Sequence, residues 1–213
     1  MKFLNRIFLI FIVLITILIY YRFENKKINY VSINITESET YSDFFVQKIK
    51  NVGTYNRIIE SKSLSEELLK DINNNIIINK GVTIQNILNE ASIITVMLNS
   101  KEIYETKSYN ELETIYNNIN QILTKIVKIS NGKIIFLGFY NIYDNDELDN
   151  KIIYVNRKIE NICKKYKIEY IDLYNLFKNK KYLFYLNEKN LPNKDANIMI
   201  SNAILKKYDK KYD

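Results

Sequence analysis

The chain has 213 residues, of which 47% are hydrophobic and 26% charged, a balance that supports a globular core and excludes wholesale disorder. It contains no His and no Trp, and its one Cys is Cys163. That excludes a Ser-His-Asp triad, a Cys-His dyad, a His-ligated zinc, an internal disulfide and a thiolate metal cluster, so no metal or cofactor is expected. Of the formal net charge of +7, the basic residues before position 28 (Lys2, Arg6, Arg22, Lys26, Lys27), set against Glu24, hold +4 and leave +3 on the rest. With no basic stripe interleaved with aromatics on the folded part, no nucleic-acid partner is expected.

The first feature in chain order is an apolar run from Ile7 to Tyr21, preceded by Lys2 and Arg6 and closed by Arg22. Phe3 and Leu4 extend it toward the roughly 20 residues of a spanning helix. A cleavable signal needs small residues after the run, but the sequence there is Leu18-Ile19-Tyr20-Tyr21-Arg22-Phe23, and no Cys stands just after it for lipidation, Cys163 being far away. Tyr20 and Tyr21 suit a membrane interface. The expectation is an uncleaved transmembrane signal anchor with basic flank over residues 1–27. Residues 28–213 then form one domain, held at the cell membrane by a single pass through residues 7–21 and placed on the extracellular side.

Beyond the anchor, strand and helix patterns alternate. Tyr30–Ile35 reads as a strand, and Tyr41–Lys50 places Tyr41, Phe44, Phe45 and Ile49 at helical spacing, with Thr40 or Ser42 as cap. Residues 53–63 carry no clear period. Helices are predicted over 65–74 and 83–90, then a buried strand over Ile93–Leu98. A long amphipathic helix runs from Tyr109 to Ser130, and Asn131-Gly132 suggests a left-handed stop. Strand 134–139, helix 146–166, strand 169–173 and helix 194–208 follow. Strands alternating with covering helices predict a three-layer α/β/α domain with a mostly parallel, flavodoxin-like sheet. Ligands in such sheets bind beyond the carboxyl ends of the strands, at 34–39, 99–102, 139–143 and the stretch before the last helix.

At those places the sequence resembles the SGNH (GDSL-type) hydrolase family. In that family the first strand runs into Gly-Asp-Ser, a later strand into Gly-x-Asn-Asp, and an Asp-x-x-His-Pro-Asn stretch precedes the last helix. Here the corresponding words are Asn34-Ile35-Thr36, then Asn99-Ser100-Lys101-Glu102 after Ala91-Ser92-Ile93-Ile94-Thr95-Val96, and Glu188-Lys189-Asn190-Leu191-Pro192-Asn193 around the sole Pro. Phe136-Leu137-Gly138-Phe139-Tyr140-Asn141 resembles the strand after the long helix.

The resemblance implies an SGNH-like fold over roughly residues 28–208 and places Thr36 where the nucleophile stands. It places Lys101 at the oxyanion Asn, Glu188 at the Asp and Leu191 at the base. A serine-type attack needs a base to take the hydroxyl proton, and every position that would carry the chemistry has changed, including the strained Gly, which is Asn34. The reading is a catalytically silent, membrane-tethered domain that binds an envelope ligand or a protein partner through a cleft near Asn34, Thr36, Ser38, Asn99, Lys101, Glu102, Tyr140, Asn141, Glu188 and Asn193. Two alternatives stay open. One is an esterase for acyl esters or O-acetylated glycans, with Thr36 or Ser38 activated by Lys101. The other is a structural envelope component with a closed cleft.

Overall fold

A computed structural model describes residues 8, 11–17, 27–36, 39–59, 65–79, 81–143, 145–185 and 191–209. Five strands form one sheet: β1 (Ile28–Asn34), β2 (Val52–Ile59), β5 (Ile93–Met97), β6 (Lys133–Leu137) and β7 (Glu169–Ile171). Their order is β2-β1-β5-β6-β7 and every pairing is parallel. This is the flavodoxin-like order, with its switch point between β1 and β5.

The central strands are covered on both faces, and their side chains alternate between two cores. Val31, Ile33, Ile94, Val96, Ile134 and Phe136 point to one. It is closed by α2 (Ser65–Asn74), α3 (Ile84–Glu90), α5 (Tyr109–Ile129) and α6 (Asp146–Tyr166). Tyr30, Ile93, Met97, Ile135 and Leu137 point to the other, under α1 (Tyr41–Val46), α7 (Leu173–Phe177) and α8 (Lys194–Asp209). An antiparallel hairpin of β3 (Ile77–Asn79) and β4 (Val82–Thr83) leaves the end of α2, and α4 (Lys101–Tyr104) follows β5.

The three-layer α/β expectation holds, with local corrections. The first helix stops at Val46 rather than Lys50, and β2 occupies most of the stretch without a clear period. The strand predicted to Leu173 ends at Ile171, because Asp172 accepts a hydrogen bond from Asn175 N–H at 3.0 Å and starts α7. Gly132 is not a left-handed stop, since α5 ends on extended Ser130. A Cβ at Gly132 would lie 2.3 Å from the Ala91 carbonyl, so glycine is needed for close approach. Asn34 avoids positive φ too; those positions fall to Asn51, Asn75, Asn179, Lys167 and Gly81.

The expected transmembrane helix over residues 7–21 lies partly outside the described residues; within it residues 8 and 11–17 are helical. Among the described residues no helix is long and apolar enough to cross a membrane.

Candidate functional site

The inner face of β1 toward α1 carries Tyr30, Ser32 and Asn34, so a polar seam runs up an otherwise apolar layer. Tyr30 Oη lies 2.7 Å from Thr95 Oγ1, and Tyr41 Oη 3.2 Å from it. At the strand end, Asn34 Nδ2 lies 2.8 Å from Ser42 Oγ, 3.1 Å from Thr40 Oγ1 and 3.2 Å from Ser32 Oγ. Asn34 Oδ1 is buried without a hydrogen-bond partner. Thr40 caps α1, its N–H donating to Asp43 Oδ2 at 2.8 Å. Asp43 also lies 3.6 Å from Arg57, whose Nη2 donates to the Thr36 carbonyl at 3.0 Å. The backbone of Thr36 is thus held from β2 through a charge-assisted contact.

A cavity of about 340 Å³ opens where β1 and β5 end. Asn34 lines it from β1, Thr36 and Glu39 from the loop that follows, Met97 from β5, Tyr41 and Phe44 from α1, and Leu191, Pro192, Lys194 and Asn197 from the C-terminal segment. Asn197 fastens these walls together. Its Oδ1 accepts from Tyr41 N–H at 2.9 Å, and its Nδ2 donates to the Pro192 and Asn193 carbonyls at 3.0 Å. The sequence signal for it was a polar residue on the apolar stripe of the last helix, with Ala196, Ile200 and Ile204.

The expected site residues divide in two. Asn34, Thr36 and Leu191 share the cavity; Ser38 and Glu188 lie outside the described residues. The middle block does not line it. Asn99 Oδ1 accepts from Lys101 N–H at 2.9 Å, starting α4, and exposed Lys101 lies 3.4 Å from Glu105. Glu102 faces Ser65, accepting from its N–H at 3.1 Å and its hydroxyl at 2.6 Å, which fastens the start of α2. Tyr140 is buried, its ring stacked at 4.9 Å on Phe184. Asn141 Nδ2 donates to Asp149 at 3.0 Å, and Asn193 caps α8 through Ala196 N–H at 3.1 Å.

The proton chemistry around the cavity follows from burial. Desolvation pushes the Tyr41 phenol far above its ordinary value, so it stays protonated. Leu191 has no atom to accept a proton. Among the described residues no group of three carboxylate or thiolate side chains converges as a metal site.

No protein-family model matches the sequence, and no match is found among curated proteins. Solved structures do match. The lipase Lip_vut3 from goat rumen metagenome superposes with a TM-score of 0.70 at 15% identity, covering 84% of this chain and 97% of its own. A lipolytic G-D-S-L family member from Veillonella parvula gives 0.62 at 16%, covering 84% and 96%. A catalytic mutant of Axe2, an acetylxylan esterase from Geobacillus stearothermophilus, gives 0.62 at 12%, covering 85% and 93%. The domain therefore has an SGNH/GDSL-like fold.

Proposed function

We propose that the chain is a membrane-tethered SGNH-like domain that binds an acylated glycan of the cell envelope without hydrolysing it. The observation that carries this reading is the pairing of Thr36 with Leu191 on one cavity, in a chain that contains no His. A hydroxyl needs a proton acceptor to become a good nucleophile, and Leu191 cannot be one. Glu39 and Lys194 are the charged residues on the cavity, while Lys101 is turned to Glu105.

Binding is favoured by what remains. Apolar walls from Met97, Phe44 and Leu191 suit a short acyl group, and Asn34 and Thr36 add polar groups at the strand end. Tyr185 lines the cavity while 53% exposed, a ring face available to a sugar. Axe2 acts on acetylated xylan or xylooligosaccharides, which makes acetylated oligosaccharide the first ligand class to test. The apolar run 7–21 supplies the tether, with the domain on the extracellular side.

Calorimetric titration of the full chain in detergent with acetylated and deacetylated xylooligosaccharides tests the reading. The acetylated form is expected to bind more tightly, Tyr185→Ala to weaken it, and Leu191→Arg, which fills the cavity, to abolish it. Equal binding of both forms, or release of acetate at a rate that tracks protein concentration, contradicts the reading.

A further inference from the structure

The charge left on the domain is small, but folding sorts it. In a parallel sheet each crossover helix returns toward the N-terminal edge of the strands, so helix C-termini gather there. They bring Lys128, Lys165 and Lys206, and nearby loops bring Lys48, Lys50 and Lys167; all six are exposed. Carboxylates toward that edge are Asp71, Glu90, Glu160 and Glu169, with Asp209 ending α8; Glu160 lies 2.8 Å from Lys164 and Glu169 3.0 Å from Lys207. Helix starts at the opposite edge carry Glu66, Glu67, Glu102, Glu111, Asp146, Glu147 and Asp195, which outnumber the exposed Lys101, Lys107 and Lys194 there.

Helix dipoles favour such sorting, but they do not account for Lys167. It sits at φ 57° and ψ 35° after α6, a left-handed position where Gly or Asn is the low-strain choice. The other non-glycine positions of this kind are all Asn. A strained backbone therefore holds a cation on this edge.

Two apolar features belong to the same edge. β1 starts there at Ile28, directly after Lys27, so the apolar run that precedes it in sequence is joined to the domain at this edge; Phe11, Leu14 and Ile17 of that run are more than half exposed. The β3–β4 hairpin, leaving the C-terminal end of α2, exposes Ile77 and Val82.

We propose that this lysine edge rests on a bilayer surface containing anionic phospholipid headgroups. The proposal builds on residues 7–21 as the anchor. Lysines beside a membrane segment are drawn to anionic headgroups, and the hairpin adds apolar contact at the interface. The cavity then lies at the far edge of the sheet. The seven residues of β1, at about 3.3 Å each, put about 20 Å between the two. The cleft thus addresses molecules outside the bilayer rather than lipids within it.

The test reconstitutes the full chain into phosphatidylcholine vesicles with and without phosphatidylglycerol, then measures flotation and acylation of lysines by a water-soluble amine reagent. The chain is expected to float with both compositions. Labelling of Lys128, Lys167 and Lys206 should slow several-fold only with phosphatidylglycerol and recover in high salt, where screening is short-ranged, while Lys101 and Lys178 at the far edge label equally in both. The triple variant Lys128→Glu, Lys167→Glu and Lys206→Glu should leave Lys48 and Lys50 unprotected. Flotation with equal labelling in both compositions overturns the proposal and spares the anchor; no flotation with either overturns both.

Discussion

At the C-terminal edge of the sheet, Asn34, Glu102 and Asn197 are consumed by contacts within the protein, whereas at the N-terminal edge Lys128, Lys165 and Lys206 project into solvent. The first edge is the one where SGNH-like proteins would carry their chemistry. Asn34 sits among Ser32, Thr40 and Ser42, Glu102 holds Ser65, and Asn197 ties Tyr41 to Pro192. The contacts of Asn34 and Asn197 stabilise the walls of the cavity and leave less to act on a ligand inside it, while Glu102 fastens the start of α2. At the second edge, Lys167 keeps an exposed charge at a cost in backbone strain. The difference separates a scaffold role for polarity at one edge from an outward role at the other.

Substitutions can sharpen that contrast, beginning with Glu102. Removing a carboxylate that accepts from a serine N–H and hydroxyl, as in Glu102→Ala, should lower stability by about 2 kcal/mol in urea denaturation. Burial raises the Glu102 carboxyl above its ordinary value. The native state therefore keeps a proton that the unfolded chain has released. Stability should fall as pH rises through the window just above the ordinary glutamate range, and Glu102→Gln should remove that slope. Next is Lys167→Gly, which relieves the left-handed strain and should raise stability by about 1 kcal/mol. A loss of stability there would show that the lysine belongs to the fold. The smallest effect is expected from Lys101→Ala. Its exposed pairing with Glu105 should be worth under about 0.5 kcal/mol, and ligand affinity should not move. A large fall in affinity would return Lys101 to the site.

The parts of the fold visible in the sequence were those with a single environment along the element. Ile93–Met97 and Lys133–Leu137 are covered on both faces and read as nearly continuous apolar runs. β2 did not, because an edge strand exposes Gly53 and Thr54 and leaves Tyr55, Asn56 and Arg57 half-buried. The site divided likewise. Asn34, Thr36 and Leu191 could be placed from the order of short motifs, because the motifs sit where strands end. The orientation of Lys101 and Glu102 could not, because a helix of four residues has no repeating face to show which side chain turns inward. Asn197 was passed over because a lone Asn on the apolar stripe of a helix does not show its partner, which lies 156 residues away.

The central proposal is that Thr36 does not act as a nucleophile, with Leu191 in place of a basic side chain and Glu39 and Lys194 as the charged residues on its cavity. Its most direct test is exposure of the full chain to an activated-phosphonate probe for nucleophilic hydroxyls, with mass spectrometry to locate any adduct and an active esterase as positive control. No adduct at Thr36 is predicted under conditions that label the control completely. Stoichiometric modification of Thr36, lost in the heat-unfolded chain, would contradict the account and identify the domain as an enzyme.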